Sequence, residues 1–114
     1  MLLFRILLIA MIINIVGYTL LTGIVYGWDL MPVFFGDIAK FNWPGQFNTD
    51  FLSMLVLSAS WTMWRNNFKP VGIALGVLAF FGGIMFLAVY LLVLTFKTDG
   101  DMKLVLLGPS RANA

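Results

Sequence analysis

One apolar stretch, residues 71–96, decides the fold: it reads VGIALGVLAFFGGIMFLAVYLLVLTF. It contains no charged side chain, and Pro70 precedes it while Lys97 follows it. About 20 apolar residues in a helix are enough to cross the hydrocarbon core of a bilayer. The stretch therefore predicts a transmembrane helix over residues 70–97, which is tilted or extends beyond the lipid.

The composition of the whole chain agrees with a lipid environment. Of the 114 residues, 61% are hydrophobic and 11% are charged, and the mean hydropathy is +0.98. Soluble domains average roughly 45–50% apolar and about 25% charged residues. A soluble fold this small could not bury so much apolar surface, so the composition excludes a cytosolic enzyme, a nucleic-acid-binding domain and a disordered chain.

The residue types that are missing restrict the chemistry. The sequence contains no His, no Cys and no Glu. It therefore offers no imidazole base, no thiolate nucleophile and no conventional zinc or haem ligand set. We expect a non-enzymatic protein with no catalytic residues, no metal site and no cofactor.

Two further runs predict membrane spans, over residues 4–27 and 50–67. The first run is interrupted only by Arg5. In the second, Asn48-Thr49-Asp50 offers N-cap chemistry, and Arg65 can snorkel at the far end. The sequence thus predicts an all-α bundle of three transmembrane helices.

The connecting segment, residues 28–49, predicts a short interfacial amphipathic helix. Its apolar positions recur near helical spacing; they are Phe34, Phe35, Ile38 and Phe41. Trp43-Pro44-Gly45 reads as a turn. The tail, residues 98–114, holds a small apolar patch at 102–107 and ends in residues that we expect to be frayed.

Orientation is weakly specified in a straight three-span arrangement. Arg5, Arg65 and Lys69 would lie on one side of the membrane. The other four basic residues would lie opposite; they are Lys40, Lys97, Lys103 and Arg111. The compact Arg65–Lys69 turn favours a cytoplasmic N-terminus and an outside C-terminus, in a multi-pass protein of a bacterial inner or intracytoplasmic membrane.

Small and polar residues mark the expected helix contacts, because close approach and hydrogen bonds drive helix association in lipid. One stripe on the last span consists of Gly72, Gly76, Ala79 and Gly83. It predicts contact either with a helix of the same chain or with another subunit. Further packing positions are predicted on the other two spans; they are Ser53, Ser60, Asn14 and Gly17.

Part of the chain resembles a family of small membrane proteins of uncharacterised function from plants and bacteria. The resemblance covers roughly residues 43–108. It rests on Gln46-Phe47-Asn48-Thr49-Asp50-Phe51, Ser58-Ala59-Ser60-Trp61, Trp64-Arg65, and Asp101 followed by Leu106-Leu107. It implies a multi-span membrane protein without assigned chemistry, and a role beyond packing for Asp50 and Trp61.

Two functions are consistent with these features. The first is an accessory or structural transmembrane subunit of a larger complex, of photosynthetic or respiratory type. The alternative is a small membrane carrier or binding module for a lipid, pigment or other apolar ligand, with Asn14, Tyr18 and Tyr90 as polar anchors. The expected partners are membrane lipids and other transmembrane subunits, and not nucleic acid.

Overall fold

The computed structural model describes residues 1–113, and in that range the chain is 85% helical and contains no strand. This confirms the all-α prediction. The helices are α1 (Leu2–Tyr26), α2 (Leu30–Ala39), α3 (Trp43–Arg65), α4 (Pro70–Lys97), α5 (Met102–Leu107) and α6 (Pro109–Ala112). The predicted tail, residues 98–114, contains the two short helices α5 and α6. Its last residues, which we expected to be frayed, are helical as far as Ala112, and residue 114 lies outside the described range.

Two of the described helices, α1 and α4, are long and apolar enough to cross a membrane. Their most apolar 18-residue segments are only 11% and 22% buried, whereas the core helix of a soluble protein is mostly buried. The accessible surface is 7849 Å², compared with about 6,300 Å² for a soluble monomer of this mass. Many large apolar side chains are exposed, which fits a protein surrounded by lipid.

The third predicted span is not shown by the structure. Residues 50–67 fall in α3, which has 23 residues and is long enough. Its early turns carry several polar side chains, so its hydropathy lies below that of α1 and α4. These side chains are Gln46, Asn48, Thr49, Asp50 and Ser53. The structure therefore supports two long apolar helices. It does not show a third transmembrane helix, which stays a prediction.

Helix α3 begins earlier than the sequence indicates. Asn42 is its N-cap, and the Asn42 side-chain oxygen accepts a hydrogen bond of 2.9 Å from the Gly45 amide. The predicted turn Trp43-Pro44-Gly45 is wrong, because these residues form the first helical turn. Proline is tolerated there, since its missing N–H would have no helical partner. The predicted cap Asn48-Thr49-Asp50 is wrong for the same reason: those residues lie inside the helix.

The helix predicted between the first two spans is shorter than expected. α2 has ten residues and ends at Ala39. Phe41, predicted to share its apolar face, has φ 52° and is 96% exposed. Asn48 donates a 3.1 Å hydrogen bond to the Phe34 carbonyl, and Gly45 lies against the backbone of Asp37. α2 therefore runs antiparallel to the first half of α3.

Helix α4 has the predicted bounds but is broken in the middle. Gly83 has φ 56° and ψ −139°, which is not helical. A Cβ built on Gly82 would lie 2.6 Å from that of Phe86, whereas side chains four apart in a regular helix are about 5–6 Å apart at Cβ. The chain thus turns sharply at Gly83.

Contacts with α3 show that α4 folds back on itself. Asn66 lies against Gly72 near the start of α4, and its side-chain amide also donates a 2.9 Å hydrogen bond to the Tyr90 hydroxyl. A straight helix would separate residues 72 and 90 by about 27 Å, too far for one asparagine to reach both. The first half of α4 (residues 70–82) and its second half (residues 84–97) therefore form a helical hairpin.

The N-terminal helix packs against this hairpin. Met1 lies beside Gly100, and Arg5 bonds to Thr95. Because the residue number of the contact partner falls from 100 to 95 as the residue number in α1 rises from 1 to 5, α1 runs antiparallel to the second half of α4. The start of α1, the end of α3, both ends of the hairpin and the two short helices consequently meet at one end of the molecule. We call this the basic end (residues 1–5, 61–72 and 90–113).

Candidate functional site

The centre of the basic end is Arg65, which is 7% exposed. Its Nε donates a 2.6 Å hydrogen bond to the Val105 carbonyl, and its Nη2 donates a 3.1 Å hydrogen bond to the Leu104 carbonyl. These carbonyls belong to the last turn of α5, where no helical amide follows to bond them all. A cation at a helix C-terminus is favoured by the helix dipole, so Arg65 holds α5 against α3.

The ring of Trp61 extends the same contact. Its indole Nε1 donates a 3.0 Å hydrogen bond to the Leu106 carbonyl. The ring lies edge-to-face on Tyr90, with centroids 6.0 Å apart. Trp61 and Arg65 therefore satisfy three successive carbonyls of α5. This is a packing and hydrogen-bonding position, and the role beyond packing that the resemblance implies for Trp61 stays a prediction.

Helix α6 is fastened by a second set of contacts at the end of α3. Arg111 stacks on the Trp64 ring, with its guanidinium carbon 4.2 Å from the ring centroid, and bonds to the Trp64 carbonyl. The amide of Asn67 donates a 2.9 Å hydrogen bond to the Ser110 hydroxyl. The tail is thus docked through both of its helices.

A third arginine closes the end of α4 in the same way. Arg5 donates a 3.1 Å hydrogen bond to the Thr95 hydroxyl and one of 2.9 Å to the Thr95 carbonyl. Its guanidinium carbon lies 4.2 Å from the centroid of the Phe96 ring. The three arginines of the basic end are therefore committed to helix ends and aromatic rings.

Sequence reasoning missed this site because it assigned Arg65 to the surface. An arginine at the end of an apolar run normally snorkels into water. Here the side chain turns inward instead, since the tail brings carbonyl acceptors to it. The one available signal was the apolar patch at residues 102–107 after the last span, because such a patch is expected to pack against another part of the chain.

The predicted small-residue stripe faces the chain's own α3. Gly72, Gly76, Ala79 and Gly83 are all buried. Gly76 lies against Met63 and the Ala59 carbonyl, and Gly83 lies against Phe51 and Leu55. The close approach predicted for this stripe therefore occurs within one chain, and any contact of the stripe with another subunit stays untested.

The other predicted packing residues lie on outward faces. Gly17 has no other side chain or backbone atom near its Cβ position, and Asn14 is exposed without a hydrogen bond to another described residue. Ser60 and Ser53 are exposed and bond back to their own helix, at the Val56 and Thr49 carbonyls. Within residues 1–113, Asn14, Ser53 and Ser60 therefore make no hydrogen bond to another helix, and Gly17 has open space beside it.

Asp50 lies on the exposed side of α3, at an open groove beside α2. The groove has a volume of about 480 Å³ and includes Ile38, Phe41 and Thr49 in its lining. The part of the chain that the structure describes contains no cluster of three metal-ligating acids with Asp50 or elsewhere. Nor are the three predicted ligand anchors together: Tyr18 borders a groove formed with residues 26–30, whereas Tyr90 belongs to the Arg65 cluster.

A more enclosed apolar cavity lies where α2, α3 and the tip of the α4 hairpin meet. Its volume is about 340 Å³. All the side chains that line it are apolar: Leu30, Met31, Phe34, Phe35, Phe51, Leu52, Leu55, Phe80 and Phe81. The cavity can accept a hydrocarbon group but offers no polar side chain to orient a headgroup.

No family model matches the chain, and neither a curated protein nor a solved structure shows significant similarity to it.

Proposed function

We propose that this protein is a non-enzymatic accessory subunit of a larger membrane complex, of photosynthetic or respiratory type. In this proposal α1 is the helix that packs against a neighbouring subunit. The proposal is carried by one observation: the middle of α1 exposes an amide, Asn14, that meets no partner among residues 1–113. An unsatisfied polar group in hydrocarbon costs several kcal/mol. A helix from another subunit would satisfy it.

The surroundings of Asn14 support the same assignment. Gly17 lies three residues further along α1 with open space beside it, and Tyr18 and Leu21 on that side are exposed. Small residues next to a polar one allow close helix approach and an interhelical hydrogen bond. In contrast, the small-residue stripe of α4 is already covered by α3.

Purification in a mild detergent followed by native mass measurement tests the proposal. We expect a particle that contains other chains in addition to this one of 12.8 kDa. Asn14→Leu should reduce the recovery of those chains, whereas Ile13→Leu, at a neighbouring exposed position, should leave it unchanged. A particle made of this chain alone would contradict the proposal.

The apolar cavity favours the second candidate, a binding module for an apolar ligand. Its volume of about 340 Å³ is at the lower end of ligand sites, which span roughly 300–1,000 Å³. Replacing Leu55 with Phe should fill part of it. If the cavity binds an acyl chain, mass spectrometry should find less co-purifying lipid per protein with this variant. Leu57→Phe, on the exposed side of α3, should retain the native amount of lipid.

A further inference from the structure

The charged side chains are divided unequally between the two ends of the molecule. Six of the seven Lys and Arg residues lie at the basic end, with two Asp residues, for a formal charge of +4. The opposite end, residues 26–50, has Lys40 and three Asp residues, for a charge of −2. Together they make the net +2 of the chain.

This division is produced by the break at Gly83. In a straight α4, Lys97 would lie about 40 Å from Lys69, and the tail would follow it to the acidic end. The hairpin returns the chain instead, so Lys97, Lys103 and Arg111 join Arg65 and the N-terminus. A straight α4 would leave three basic residues at one end of the molecule and four at the other. The hairpin places six at the basic end and one, Lys40, at the opposite end.

Exposed aromatic rings mark the other end as a second interface. They surround the α1–α2 and α2–α3 connections, where amphipathic rings are expected at the level of lipid headgroups. They are Tyr26, Trp28, Phe41, Trp43 and Phe47. Helix α1, at about 1.5 Å per residue, is long enough to hold the two ends on opposite faces of a bilayer.

We propose that the basic end faces the cytoplasm and binds anionic phospholipid headgroups of that leaflet, with α4 as a re-entrant hairpin. Lysine and arginine accumulate on the cytoplasmic side of membrane proteins, and that leaflet carries anionic lipid. Lys69, Lys97 and Lys103 are the exposed cations for the headgroups, because the arginines are held by helix ends and rings. Both termini then lie in the cytoplasm, in place of the outside C-terminus expected from a straight α4.

Single cysteines test this topology cleanly, since the chain has none of its own. Leu2→Cys, Asn113→Cys and Met102→Cys report the basic end, and Gln46→Cys reports the acidic end; all four positions are exposed. In bacterial spheroplasts, a membrane-impermeant maleimide should label only Gln46→Cys until the membrane is permeabilised. Labelling of both Asn113→Cys and Met102→Cys in sealed spheroplasts would overturn the proposal, whether or not Leu2→Cys is labelled.

The lipid contact has its own measurement on the purified chain in neutral detergent. Native mass spectrometry should show tighter binding of phosphatidylglycerol than of phosphatidylcholine. Replacing Lys69, Lys97 and Lys103 together with Gln should weaken phosphatidylglycerol binding about 10- to 100-fold, while Lys40→Gln should not.

An equal loss with Lys40→Gln, the absence of a lipid preference, or displacement of the lipid by equimolar inorganic phosphate would overturn the headgroup assignment. The labelling reads only the single cysteine introduced into this chain, and the lipid binding is measured on the purified chain. Both results are therefore independent of whether the protein belongs to a larger complex.

Discussion

Replacing Gly83 with Ala tests the hairpin most directly. The backbone at Gly83, with φ 56° and ψ −139°, is one that L-residues rarely adopt, and holding an alanine there costs about 1–3 kcal/mol. The new Cβ would also lie 2.9 Å from the Phe51 ring, which must shift. We therefore expect the folded state to lose about 2–3 kcal/mol.

Gly17→Ala is the matched control. Gly17 lies inside α1, has nothing within 4 Å of its Cβ position and has no positive φ. Alanine is favoured over glycine in a helix interior by about 1 kcal/mol, so this variant should be more stable than the native protein. The same chemical change thus has opposite signs at the two glycines. Titration of dodecylmaltoside micelles with SDS, followed by circular dichroism, measures both.

A distance measurement checks the native geometry. Spin labels at Val71→Cys and Val93→Cys, both exposed positions, would lie about 33 Å apart along a straight helix. Helices packed side by side lie about 8–10 Å apart between axes, so the hairpin should give a much shorter distance. A native distance near the straight-helix value, or equal stabilisation by the two alanine variants, would refute the reasoning.

Three further predictions concern packing and the tail. Arg65→Met removes two charge-assisted hydrogen bonds to α5, each of about 1.5–3 kcal/mol, so hydrogen exchange at the Val105 and Gly108 amides, measured by NMR, should accelerate at least about 100-fold. No acceleration there, or an equal one in Arg5→Met, would contradict this role of Arg65. Gly76→Val places a side chain against α3 and should cost about 1–3 kcal/mol in the SDS titration; unchanged stability would show that α3 and α4 do not approach closely. Asp50→Asn, at an exposed position, should change the free energy of unfolding by less than about 0.5 kcal/mol. A larger loss would contradict the exposed position of Asp50 and indicate that its carboxylate has a buried partner.

The contacts of Arg65 and Trp61 also explain why α5 is helical. α5 has six residues, and an isolated helix of that length is not stable in water. Its last carbonyls are bonded by Arg65 and Trp61 from α3. The tail is therefore helical because the basic end supplies donors for it, and loss of those donors should release the tail without unfolding α1.

The sequence by itself determined the helical content of this protein and predicted a lipid environment for it. The apolar runs in α1 and α4 are long enough to require a helix in lipid, because every backbone polar group there must be bonded within the segment. Both bounds of α4 follow from Pro70 and Lys97, and the end of α1 follows from Tyr26 at its exit. The start of α1, at Leu2, lies two residues before the predicted start of the span. Local chemistry was less informative for α3, since Asn42 and Asn48-Thr49-Asp50 offer equally good caps.

Only the tertiary structure decided the path of α4 and the burial of Arg65. Gly83 fits a continuous small-residue face as well as a sharp turn, and hydropathy is the same for a straight helix and a hairpin. The choice depends on contacts distant in sequence: Phe51 and Leu55 meet the turn, and Asn66 joins the two halves of α4. The direction in which a helical segment runs through a membrane depends on which helix faces pack together, and the local pattern of apolar residues does not contain that information.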